Sequence, residues 1–334
     1  MKKLTLAAIL LATSAFAAEL NLYSARHYDV DLKLYEDFTK KTGIKVNHTQ
    51  AKPNELIKRL TTEGETTAAD MFITADISNL TQVADAGLFA PVKSEVLEKV
   101  IPANLRSPDN LWFAMTKRAR IVAYAKNRGV DPSVIKTYDD LAKPELKGRI
   151  LMRSATAAYS KTLLSSLIIN EGEEKARAWA KGVMANLATP PKGGDRDQAR
   201  QVFAGDADFA IMNTYYIGLL RNSQEPKDVE VGNSLGIIFP NQDDRGAHIN
   251  ISGFGMLKAA KNKKEAQEFM EYLLSKEAQK FLTDANYEFP VREDVEVSQT
   301  VKDFGTFKAD PLPVGDISKN VKQAVKIYDE IGFK

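Results

Sequence analysis

The 334-residue chain contains no cysteine. Disulfides, thiol catalysis and cysteine-bearing metal sites are therefore excluded. So is a lipid-modified N-terminal cysteine. Histidine is scarce, with three in all. His48 and His248 have no second donor at metal-ligand spacing and read as structural or solvated. An excess of one charge is also lacking, with 46 Lys+Arg against 44 Asp+Glu. Removing Lys2 and Lys3 with an N-terminal leader would make the balance even. A neutral chain argues against nucleic acid or an anionic membrane surface as partner. Internal repeats, low-complexity tracts and Gly/Ser-rich linkers are absent. No P-loop occurs, and Gly253-Phe254-Gly255 lacks the strand-glycine-helix setting of a dinucleotide site. Gly193-Gly194-Asp195 fits a plain turn better than an anion-binding loop. No serine sits in a nucleophile elbow. Carboxylate pairs such as Asp243-Asp244 read as solvated turns, and no acid/base constellation forms. The chain is therefore read as a binding protein rather than an enzyme.

The first residues have the features of an export signal. Met1-Lys2-Lys3 is a charged start, and Leu4 to Ser14 is an apolar run too short to span a bilayer. Ala15-Phe16-Ala17 is an A-x-A cleavage site. Cleavage is expected after Ala17, with Ala18 as the second position, giving residues 1–17 as the leader. No later stretch is apolar enough to insert in a membrane. A periplasmic, untethered protein follows.

Apolar periodicity predicts two α/β units. Glu19 to Ala25, Ile44 to His48 and Asp70 to Thr74 read as strands. They alternate with helices over Asp29 to Lys41, Asn54 to Glu63 and Ile77 to Ala86. This order implies a parallel sheet with flanking helices. Trp112 to Met115 and Ile121 to Ala125 read as two strands with Lys117-Arg118-Ala119-Arg120 as a basic turn beside them. A second unit follows, with helices at Ser160 to Asn170, Glu173 to Asn186 and Asp197 to Ala204. Leu235 to Phe239 reads as a strand returning toward the first unit. Lys319 to Ile331 reads as a last helix. The boundaries expected are 18–116 with 241–292 for one lobe and 117–240 with 293–334 for the other. Without a linker, the chain should cross between lobes through strands, leaving a ligand cleft and a hinge.

The tyrosines give that cleft its chemistry. Tyr215-Tyr216 follows the short apolar strand Asp208 to Met212 and begins a helix. Strand-to-helix turns are where α/β proteins place ligand-binding groups. Helix N-termini favour anions there. A phenolate is a hard oxygen donor, suited to hard cations, and Fe(III) is the one it binds best. Taken alone, the pair is better explained by aromatic packing. Two further loops change the balance. His27-Tyr28 follows the first strand, and Tyr159 lies in the small-residue loop Ser154-Ala155-Thr156-Ala157-Ala158. Three strand-to-helix loops thus each deliver a tyrosine, and one adds a histidine.

These segments resemble the ferric-iron-binding periplasmic proteins of ABC importers. The resemblance runs through Leu22-Tyr23-Ser24-Ala25-Arg26-His27-Tyr28, Ala69-Asp70-Met71-Phe72-Ile73-Thr74, Lys117-Arg118-Ala119-Arg120-Ile121-Val122, Arg153-Ser154 to Tyr159, Asn213-Thr214-Tyr215-Tyr216 and Asn250-Ile251-Ser252-Gly253. It implies a two-lobed clam-shell of the type II kind, each lobe a mixed sheet flanked by helices. Fe(III) would lie between the lobes, bound by His27, Tyr28, Tyr159, Tyr215 and Tyr216. An inner-membrane ABC permease would be the partner of a monomeric receptor. Family members that use an exogenous anion commonly carry a Glu soon after the Ala-Asp-x-Phe strand. Here Ala75 and Asp76 stand there, as in a tyrosine-rich branch that needs an anion less. Arg118 would offset phenolate charge or pair with carbonate or another synergistic anion. A receptor of the same fold for a small organic or inorganic anion is the alternative.

Overall fold

The computed structural model describes residues 18–26 and 28–334. The expected leader and His27 lie outside the described residues. Among those described, nine strands occur: β1 (Glu19–Ala25), β2 (Lys45–Gln50), β3 (Met71–Thr74), β4 (Phe113–Ala125), β5 (Ile150–Leu151), β6 (Phe209–Asn213), β7 (Leu235–Ile238), β8 (Ile249–Met256) and β9 (Phe289–Pro290). Their hydrogen-bonded order is β2-β1-β3-β8-β4-β6-β5, with β7 and β9 also paired to β4.

The first lobe is built as its periodicity predicts. β2 and β3 flank β1 in parallel. The connecting helix Val30–Thr42 buries Leu34 and Phe38, four residues apart and so on one face. It stops at Gly43, whose φ of 77° lets its N–H close back on the Thr39 carbonyl. The helix Pro53–Glu63 buries Leu56 and Leu60. After β3, Asp76 caps the helix Ile77–Asp85 by accepting the Ser78 N–H at 2.8 Å.

The second lobe hangs on β4. Its Phe113–Ala119 stretch pairs with β8, and from Arg120 onward it pairs with β6. At about 3.3 Å per residue, a thirteen-residue strand serves both lobes. The expected basic turn at Lys117-Arg118-Ala119-Arg120 is therefore absent, and these residues lie inside β4. Arg118 and Arg120 are 0% and 2% exposed, because buried carboxylates neutralise them. β7 does not return to the first lobe either. It pairs with Val122 to Ala125 at the far end of β4, where Gly236 leaves room for the Tyr124 ring.

The tail differs too. The last helix, expected over Lys319 to Ile331, runs over Val321–Ile331, and a second, shorter one, Val314–Lys319, precedes it across a break at Asn320. The shorter one was expected with the second lobe. It packs on both Ile77–Asp85 of the first lobe and the helix Ala158–Glu171 of the second. Both faces of the second sheet are covered. Phe209 and Ile211 of β6 join one core with Leu163, Trp179 and Tyr328, while Ala210 and Met212 join the other with Tyr215 and Ile217. Among the described residues, no helix is long and apolar enough to cross a membrane.

Asp70, 1% exposed, ties the first lobe together. One carboxylate oxygen accepts the Asn21 N–H at 2.8 Å, and the other accepts the N–H groups of Lys261 and Asn262 at 2.9 and 3.0 Å. Asp70→Ala strands these donors and is expected to cost about 3 kcal/mol of stability. Urea unfolding checks this, and a loss well under about 1 kcal/mol would contradict the role.

Candidate metal centre

Four of the five sequence-predicted ligands can be placed, and all four converge. Tyr28 follows the carboxyl end of β1, and Tyr159 stands at the start of the helix Ala158–Glu171, in the loop after β5. Tyr215 and Tyr216 open the helix Thr214–Arg221 directly after β6. Each loop issues from the carboxyl edge of a strand, where α/β sheets offer their ligand sites. The Tyr28 hydroxyl donates to the Tyr215 hydroxyl at 3.0 Å. The Tyr159 hydroxyl lies 3.2 Å from the same Tyr215 oxygen. Tyr216 packs at a tilt against Tyr215 with ring centroids 4.2 Å apart, and the Tyr28 ring meets Tyr215 edge-on at 5.9 Å. Tyr215 is thus the centre, 0% exposed, and the other three are buried around it. Three phenol oxygens from three loops meet within hydrogen-bonding distance of one point.

Electrostatics explain what such a cluster does. Burial, then the neighbouring Tyr159 phenol, push the Tyr28 and Tyr215 hydroxyls well above the ordinary phenol value. The same causes, in the same order, raise Tyr216. The guanidiniums of Arg26 beside Tyr28 and Arg118 beside Tyr215 oppose this without reversing it. These three phenols therefore keep their protons at neutral pH unless a strong cation displaces them.

Four arginines surround the phenols. Arg26 lies 4.7 Å from the Tyr28 ring centre. Arg118, Arg120 and Arg153 lie 5.5, 5.7 and 5.4 Å from that of Tyr159. Only Arg118 was singled out from the sequence. It is no surface arginine: it donates to the Ala75 carbonyl and to Ser252 Oγ, and faces Glu288 at 3.6 Å. Arg120 pairs with Asp195 at 3.0 Å and Arg153 with the same carboxylate at 3.7 Å. The Gly193-Gly194-Asp195 turn thus supplies an anion of its own. Arg26 pairs with Asp31 at 2.7 Å and Glu288 at 3.3 Å. Four cations against Asp31, Asp195 and Glu288 leave this shell one positive charge. A trivalent cation held by four phenolates would carry one negative charge, which such a shell would offset.

Asp76 is committed to its helix cap and to Asn250, whose amide donates to it at 2.9 Å. It also borders a cavity of about 320 Å³ between the lobes, together with Thr74, Asn79, Arg153, Tyr159 and Tyr216. His248 is buried, and desolvation followed by Arg120 pushes it down to about 3, so it stays neutral. His48 stacks on Tyr35 at 5.5 Å. Among the described residues, no group of three His, Cys, Asp or Glu could hold a metal. The clustered oxygen donors here are the phenols. Arg26 and Glu288, missed from the sequence, are paired across 262 residues, and no local pattern announces such a pair.

A two-lobed α/β chain with a polar cleft at the carboxyl ends of its strands is a binding protein of the solute-receptor class. The chain belongs to the bacterial extracellular solute-binding proteins, whose family model matches residues 66–309. It is 43% identical over 316 residues to "Iron uptake protein A1" of Synechocystis sp., covering 95% of this chain and 88% of that one. Among solved structures, it is similar to a ferric binding protein from Campylobacter jejuni. That match has 68% identity and a TM-score of 0.92, with coverage of 94% and 100%. A Trichodesmium protein in complex with iron and citrate ligands matches with 45% identity and a TM-score of 0.91, over 95% and 100%.

Because burial raises the folded values of Tyr28, Tyr215 and Tyr216, their stabilising effect is full below the ordinary phenol value of 10.0. It is lost as pH rises through the folded values. The metal-free protein should lose stability above about pH 10. These tyrosines should ionise only as it unfolds. Ultraviolet absorbance followed alongside circular dichroism reads this, and phenolate appearing well before unfolding would contradict it.

Proposed function

We propose that this chain is a periplasmic receptor that captures Fe(III) between its lobes and delivers it to an inner-membrane ABC permease. The observation that carries this reading is the meeting of the Tyr28, Tyr159 and Tyr215 hydroxyls around one point. Tyr216 is packed against them. A hard trivalent cation suits hard anionic oxygens, and phenolates are the strongest such donors among side chains. His27, next to Tyr28 in sequence, completes the proposed ligand set.

The donors divide between lobes. His27 and Tyr28 belong to the first, and Tyr159, Tyr215 and Tyr216 to the second, so the ion would hold the clam-shell closed. Opening would bend β4 and β8, the strands nearest the boundary expected around residues 116 and 241. The export signal at residues 1–17 supports a periplasmic location. The names of the relatives support the cargo: one is an iron uptake protein and one a ferric binding protein. The permease partner follows from a relative called a probable ABC transporter periplasmic-binding protein. Binding and delivery require no bond-making chemistry. A carbonate-sized anion has room in the cavity beside Tyr159 and Tyr216, with Arg153 as its cationic wall. Arg118 is already held by the protein.

Binding must release phenol protons, so affinity falls on acidification. Protein loaded with Fe(III) should be orange to red from phenolate-to-iron charge transfer and should bleach as pH is lowered. Tyr215→Phe with Tyr216→Phe should remove the colour and weaken Fe(III) binding by more than the roughly 100-fold typical of losing an outer-shell partner. Wild-type protein that stays colourless and keeps no Fe(III) after desalting would overturn the reading. Thermal stabilisation by a small anion without metal would then favour an anion receptor on the same fold.

A further inference from the structure

Glu288 lies in Asn286-Tyr287-Glu288, just before β9, and is fully buried. One of its oxygens accepts from both terminal nitrogens of Arg26, at 3.4 and 3.3 Å, and from the Asn286 amide at 2.8 Å. The other accepts from Ser252 Oγ at 3.1 Å and faces Arg118 at 3.6 Å. A carboxylate in an interior without partners would take up a proton. Here burial raises the Glu288 carboxyl, but Arg26 and then Arg118 outweigh it and hold it below the usual range. It is therefore a charged group.

Its two arginines each reach a different phenol. Arg26 stacks on the ring of Tyr28, and Arg118 lies over that of Tyr159. Both of those phenols meet Tyr215 through their hydroxyls. The contacts close a ring: Tyr28, Arg26, Glu288, Arg118, Tyr159, Tyr215. Among the described residues, Glu288 is the one carboxylate paired with both Arg26 and Arg118. The preceding residue ties the same segment to the helix that bears Tyr215. Tyr287, held at a φ of 56°, packs its side chain on Gly218, where an added Cβ would sit 2.4 Å from the Tyr287 Cβ. Two consecutive residues thus touch the supports of phenols from both lobes, and Asn286 braces the second of them.

We propose that Glu288 is a positioning residue of the ferric site, holding Arg26 against Tyr28 and Arg118 against Tyr159 so that it sets both the spacing of the phenols and the charge the iron meets. The proposal rests on the ferric reading above. It has two separable parts. The length of the side chain sets geometry. Its negative charge keeps two guanidiniums from making the site too positive for a trivalent ion.

Glu288→Gln keeps the shape and removes the charge. A unit charge lost at this range in an effective dielectric of about 20 shifts an equilibrium roughly tenfold, and Fe(III) feels it more than Fe(II). The preference for Fe(III) over Fe(II) should fall about tenfold, read by spectroelectrochemistry as a positive shift of about 59 mV. Glu288→Asp keeps the charge and shortens the reach. It should leave the potential within about twofold of wild type in affinity ratio while moving the charge-transfer band. Asp70→Asn, a buried carboxylate remote from the phenols, should lower the melting temperature and leave band and potential unchanged. A Glu288→Gln protein that folds and shows the wild-type band and potential overturns the proposal, whatever its melting temperature. If Glu288→Gln does not fold, Glu288→Asp decides by its band, and an unmoved band overturns the proposal. Wild-type protein without a charge-transfer band would instead sink the ferric reading itself.

Discussion

Burial of arginines beneath a cluster of phenols is the constraint on which this structure depends. A guanidinium away from water is tolerable only when carboxylates and hydrogen bonds surround it. Arg118 and Arg120 sit two residues apart in one strand, and each has its own carboxylate partner. Glu288 comes from the segment before β9, and Asp195 from the turn that opens the helix Asp195–Ala204. Meeting the needs of these two arginines draws distant parts of the chain onto the middle of β4. There the crossing strand, the return segment and the phenol-bearing loops meet.

The same cations make the phenols useful. A buried phenol resists ionisation, which on the proposed ferric reading would keep weak cations from binding. A ring of guanidiniums lowers the cost of the anionic form once a cation strong enough to displace the protons arrives. These opposing influences select for charge. The pairing of Arg26 with Asp31 and Glu288, and of Arg120 and Arg153 with Asp195, limits the net positive field to one unit. A larger field would repel the ion it is meant to hold.

The fold supplies the geometry for this chemistry. β5 and β6 run parallel and release Tyr159 and Tyr215 at one edge. Tyr28 follows β1, which through β3, β8 and β4 runs antiparallel to β6, so it approaches them from the opposing side. β4 carries the sheet across both lobes, and the helix Val314–Lys319 packs on a helix of each lobe. The polar cleft lies beside this shared spine, so in the proposed receptor closing the lobes and assembling the ligand shell would be one motion.

Much of this was legible in the residues. The strand-helix alternation from Glu19 to Asp85 follows from apolar spacing, and local periodicity is decided by local sequence. The recurrence of tyrosine after three strands picked out residues that the fold brings together, because each loop signal is local as well. The character of Lys117-Arg118-Ala119-Arg120 was not legible. Four residues with three cations resemble a solvated turn, and only the arrival of Glu288 and Asp195 from far along the chain makes them strand. The direction of β7 and the break at Asn320 were hidden for the same reason: packing, not propensity, decides them. By itself, then, the sequence determined most of the elements and the loops that carry the phenols, since each rests on neighbours in the chain. Only the tertiary structure decided which charges stand behind those donors, because burial and pairing across 262 residues exist only once the chain has closed on itself.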